Sequence, residues 1–166
     1  MIEYTELSAE TRAIFNPALI AILGARAAQG YEGEAKAPMP IALCLTAVGT
    51  ALFHRARDDR PSTIRPSFAG WLQDNPEIRY NIGPQLESLG PHLKAGIIFG
   101  VSQEILRIVA SSSVSMVPRS VRAPGVTTGL YTQEVESCIG AATFFGRWFA
   151  RSGTPGTVMA LLGVTP

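Results

Sequence analysis

Charge is scarce in this sequence. Charged residues occupy 16% of the 166 positions and nearly cancel, to a formal net charge of +1, where an average soluble domain carries about 25%. No global field therefore draws the chain toward nucleic acid or an anionic lipid surface. The patterns GxxxxGK[ST] and GxGxxG are absent, so the chain lacks the glycine-rich loops on which nucleotide phosphates are cradled. Cys44, Cys138, His54 and His92 are the only cysteines and histidines, and none stands at the two- to five-residue spacing of a metal-binding pair. Serines 111–113 have no nucleophile-elbow frame around them. Two cysteines fit a reducing compartment better than a disulfide framework. The uncharged run at residues 37–53 stops just short of the roughly 18 to 20 residues a bilayer span needs. The acidic start MIEYTELSAE lacks a basic and apolar export pattern. These absences lead to the expectation of a soluble, cytoplasmic protein with no catalytic residue, metal or cofactor, and no membrane contact.

Apolar residues, by contrast, reach 46%. A sparsely charged chain with that surplus either folds very compactly or keeps part of the surface for a partner. The most apolar stretch is PMPIALCLTAVGTALF, residues 38–53. With apolar or small side chains all round, it is expected to form a helix enclosed by other helices, with Pro38 and Pro40 at its entrance. Ahead of it, Ile14, Phe15, Leu19, Ile20, Leu23 and Ala27 recur at helical spacing. Ser8, or Asn16 followed by Pro17, provides the cap, and Gly30 the end. Ser67 is placed to cap a short helix through Trp71 and Leu72, and Asp74-Asn75-Pro76 marks a stop and restart. Gly83-Pro84 and Gly90-Pro91 are expected to break the stretch after Pro76 into separate short helices, the last burying Leu93, Ile97, Ile98, Val101 and Ile105.

Alternation with period two over residues 106–118, around the turn at serines 111–113, predicts a β-hairpin. Residues 119–129 read as loop. A long amphipathic helix is expected from about Tyr131 to Arg151, burying Val135, Ile139, Ala142, Phe145, Trp148 and Phe149 and ended by Gly153, and a last short helix starts at Thr154-Pro155. The fold class is therefore mainly α: a compact helical domain with a small β-hairpin, a winged-helix-like element, followed by a long C-terminal amphipathic helix. One domain covers residues 1–166, with a helical core at 1–105, the hairpin at 106–118 and the C-terminal helices at 131–166.

Two regions are candidates for binding. Phe144, Phe145, Trp148 and Phe149 crowd two helical turns, an aromatic face too wide for one neighbouring helix to cover. Part of this face reads as core and the remainder as a docking surface: Phe144, Trp148 and Phe149 with Leu161 and Leu162 are candidate partner contacts, and Arg147 and Arg151 fit a polar rim. His54, Arg55, Arg57, Arg60 and Arg65 form the only basic concentration, a candidate contact for nucleic acid or an acidic partner. Asp58, Asp59, Asp74 and Glu77 sit among them and cancel much of the field. A winged-helix DNA binder is the alternative, but the helix after Pro91 offers few groove-reading side chains beyond His92 and Lys94.

FNPALIAILGARAAQGY (residues 15–31), the apolar helix ending at His54, WLQDNPEIR (residues 71–79) and above all GRWFARSGTPGTVMALLGVTP (residues 146–166) resemble the middle component of bacterial three-component ABC systems. That group includes the small subunit of Lamassu-type anti-phage defence. The resemblance implies a non-enzymatic adaptor encoded between an SMC- or Rad50-like ABC ATPase and an effector, often a nuclease. DNA would be reached through the complex.

Overall fold

The computed structural model describes residues 15–121 and 132–164. Ser8 and Ile14, most of the expected loop at 119–129, and Tyr131 lie outside them. The described chain is mainly helical with a small antiparallel sheet: α1 (Pro17–Ala35), β1 (Met39–Pro40), α2 (Ile41–Leu52), α3 (His54–Asp58), α4 (Phe68–Asp74), α5 (Pro76–Ser102), β2 (Leu106–Val109), β3 (Ser113–Met116), α6 (Gln133–Ala150) and α7 (Pro155–Leu161).

The helix in the 38–53 run, α2, is enclosed as expected, with none of its twelve residues exposed; beside it packs α1. Asn16 caps α1, its side chain accepting from the Ala18 N–H at 2.9 Å, with Pro17 at the first helical position. The helix passes through Gly30 and stops five residues later, where Lys36 takes a left-handed φ of 56° and its N–H bonds the Glu32 carbonyl. Gly30 serves packing instead of termination. A methyl group there would stand 2.4 Å from the Thr143 carbonyl oxygen, and one on Gly146 would stand 2.1 Å from that of Ala27. The two glycines let the backbones of α1 and α6 touch, so a side chain at either position forces the helices apart.

The 38–53 run divides. Met39 and Pro40 pair with Val114 and Ser113, adding a third strand to the predicted hairpin and giving the sheet order β1-β3-β2. In α2, Leu43, Cys44, Ala47, Val48 and Ala51 are buried, while Ile41, Ala42 and Leu45 are only half-buried. The hairpin has the register Leu106↔Met116 and Ile108↔Val114.

The expected breaks at Gly83-Pro84 and Gly90-Pro91 do not occur. α5 runs unbroken for 27 residues with both prolines inside it. Each interior proline costs about 3 kcal/mol through a lost hydrogen bond and a clash one turn back. Against that cost, Ile78, Ile82, Leu86, Leu89, Leu93 and Ile97 keep one buried stripe along the whole helix, and each contributes about 1.5–3 kcal/mol. Both prolines also face solvent, where water can satisfy the carbonyls they leave free. The stripe outweighs the breakers.

Candidate partner-docking surface

The aromatic face of α6 is interior. Trp148 and Phe149 are buried, with Phe145 between them. α4 provides the cover, because Ser67 caps it through the Gly70 N–H and thereby sets Phe68 and Trp71 on the facing side. Phe68 meets Trp148 edge-on with centroids 5.0 Å apart and Phe149 at 5.2 Å, the geometry that ring quadrupoles favour. The Trp148 indole N–H donates to the Pro66 carbonyl at 2.9 Å. Leu162 is buried as well. Trp148, Phe149 and Leu162 are thus corrected from surface contacts to core: the segment 59–74 folds over α6 and supplies the second neighbour that its width requires.

The remaining residues predicted there scatter. Phe144 is half-buried, packs edge-on against Trp148 at 5.3 Å, and lies under the Arg60 guanidinium at 5.8 Å. Arg147 clasps Glu34 of α1 with Nε at 2.9 Å and Nη2 at 2.7 Å, and Arg151 stands 4.0 Å from the same carboxylate. Arg151, Leu161 and Arg65 do come together, lining a shallow depression of about 420 Å³ beside Ser67 and Thr157.

The basic concentration is largely consumed within the fold. Arg57 is buried and ties three elements together. It donates to the Ala51 carbonyl at 3.1 Å, to the Cys138 sulfur at 3.3 Å and to the Glu134 carboxylate. Arg60 donates to the Arg57 carbonyl, Arg55 pairs with Glu77, and His54 lies 3.1 Å from Asp58. Arg57 cannot contact a partner from that position. Arg65 is the member of the set left exposed without a described ion pair.

The open apolar surface lies elsewhere. Ile41 and Leu45 of α2, Ile97, Ile98 and Val101 of α5, and Ile108 of β2 line a groove of about 580 Å³. A second depression of about 320 Å³ continues from it along α2 and α5 to Leu86, Met159 and Val164, sharing Ile41, Leu45 and Lys94. Ile98 is 70% exposed and Ile108 47%, among the largest exposed apolar side chains described. Ile98, expected on the buried face, sits one residue beyond the stripe that ends at Ile97, so a 100° step carries it outward. The sequence does carry a signal: Leu93, Ile97, Ile98 and Val101 make an apolar arc wider than one packing stripe. Ile41, Leu45 and Ile108 carry none, because only the fold brings them to α5.

The thiols are packing groups. Burial pushes the Cys44 thiol up to about 12, and its sulfur faces the Gly24 carbonyl at 3.6 Å. Burial raises Cys138 too, with the Arg57 guanidinium pulling the other way. A raised pKa leaves little thiolate at neutral pH, the form that attacks or ligates. Among the described residues no group of three or more His, Cys, Asp or Glu side chains could hold a metal ion, and no helix is long and apolar enough to cross a membrane.

No curated protein and no solved structure matches the chain. The family profile described as ABC-three component (ABC-3C) system Middle Component 3 matches residues 4–166, and the chain belongs to that family. It is accordingly one component of a multi-component system, and the other components of that system are its partners.

Proposed function

We propose that the chain is a non-catalytic accessory subunit that holds an ABC ATPase of the SMC or Rad50 type and an effector in one defence complex, as the resemblance to Lamassu-type systems implies. The observation that carries the proposal is the open groove between α2, α5 and β2. Monomeric proteins rarely leave large contiguous apolar patches bare, and such patches mark interaction sites. The low charge density agrees, because charged side chains are costly to desolvate at the buried centre of an interface.

Co-expression with the other components of the system, followed by purification through a tag on one of them, tests the proposal. Ile98→Asp together with Ile108→Asp is expected to abolish assembly while the variant's melting curve matches the parent. Undiminished assembly by a folded double variant would overturn the groove as the docking site.

A further inference from the structure

Beyond the groove itself, its shape and charge define the segment that fills it; this inference rests on the docking role proposed above. Along α5 the two confluent depressions extend from Leu86 to Ser102, about 24 Å at the helical rise. The lining is aliphatic, apart from a few small groups and Lys94, which belongs to both depressions and so sits at their junction. Lys94 is exposed, has no described salt bridge or hydrogen bond, and is the only charged side chain among the described residues lining either depression.

Three occupants are conceivable, and the geometry separates them. An extended peptide would lay its own N–H and C=O groups against aliphatic side chains that cannot bond them. The strand edge of β2 could pair with it for only the four residues Leu106–Val109. A second copy of this chain, docked about a twofold axis through the patch, would bring Lys94 against its own mate, two like charges in an apolar setting. A helix satisfies its own backbone, and one of about 16 residues matches the length of the groove. Its stripe would pack beside Lys94, Ile98 and Val101, themselves spaced i, i+4, i+7.

We infer that the groove receives an amphipathic helix of another component of the same system, apolar at i, i+3 or i+4, and i+7, and carrying one carboxylate that meets Lys94. The carboxylate is required by the ammonium: closing an apolar helix over Lys94 would strip its water without replacing it.

The test measures binding of the purified subunit to the component it co-purifies with. Against the parent, Lys94→Arg is expected within threefold, Lys94→Met about tenfold weaker with a shallower salt dependence, and Lys94→Glu about a hundredfold weaker. A photo-cross-linking residue in place of Val101 should capture a peptide of that component with the stated apolar spacing and an Asp or Glu within it. If Ile98→Asp abolishes binding while all three Lys94 variants bind within threefold of the parent, the groove docks a partner and the acidic-helix inference falls alone. A cross-link to a second copy of this chain, or to a peptide with no carboxylate, overturns it equally. Normal binding by Ile98→Asp removes the docking role and the inference with it.

Discussion

The aromatic face of α6 and the aliphatic groove beside α5 exchange the roles their sequences advertise. Four aromatic rings within two turns look like a surface waiting for a partner, yet Phe145, Trp148 and Phe149 are enclosed. Isoleucine, leucine and valine at positions 41, 45, 98, 101 and 108 look like ordinary core, yet they edge an open groove. The difference lies in what the rest of the chain can reach. The segment after α3 is tethered by Arg57, by the Trp71 indole donating to the Asp59 carbonyl at 3.0 Å and by Trp148 donating to Pro66, so it lies across α6 and closes it. No comparable segment among the described residues crosses α5 on the side of Ile98. Local concentration of hydrophobicity therefore identifies a demand for cover, and topology decides whether the chain meets it.

The sharpest way to break this comparison is Trp148→Ala. If the ring is core, removing it and its hydrogen bond should cost about 3–5 kcal/mol, seen as a lower urea midpoint; a variant of parental stability would return the ring to the interface. Next, Arg57→Met tests whether the basic segment is a fastening. Losing its contacts to Ala51, Cys138 and Glu134 is expected to cost about 2–3 kcal/mol in the same measurement, where a surface cation would cost next to nothing.

Cys44 sharpens the comparison by pH. Its folded pKa of about 12 exceeds the ordinary thiol value of 9.0, so its stabilising contribution is complete below pH 9 and lost as pH climbs toward 12. This thiol alone should lower stability by about 1.4 kcal/mol per pH unit in that window. Cys44→Ala should remove that component of the slope, and equal slopes for parent and variant would contradict the burial. Smallest of all, Ile98→Asp should change stability by no more than about 0.5 kcal/mol, because the side chain is 70% exposed. A larger loss would place Ile98 in the core.

Much of the architecture is legible in the sequence because it depends on local chemistry. Asn16-Pro17, Ser67 and Thr154-Pro155 each begin a helix as their capping chemistry requires, and period two finds both strands of the hairpin. The illegible parts depend on distant partners. Gly30 reads as a terminator because its partner, the backbone of α6, lies more than a hundred residues away. Pro84 and Pro91 read as breaks because a sequence window weighs a proline's local cost and not the buried stripe that spans it. Met39–Pro40 is too short to show any periodicity and becomes a strand only when β3 lies beside it. The candidate site is hidden for the same reason, since α2 lies dozens of residues before α5 and β2, which contribute the other walls. Composition alone marks Arg57 as a possible contact, and its burial becomes visible only once α6 is in place.

Both native thiols are buried, so a cysteine introduced in place of Ile98 would be the one readily labelled site, with Gln73→Cys as an exposed reference on α4. The rate of labelling is to be measured in the free subunit and in the assembled complex. If the groove is the docking site, assembly slows labelling at position 98 at least tenfold and leaves position 73 unchanged. Equal rates at position 98 in the two states, with protection emerging instead at a cysteine placed at Phe144, would contradict it.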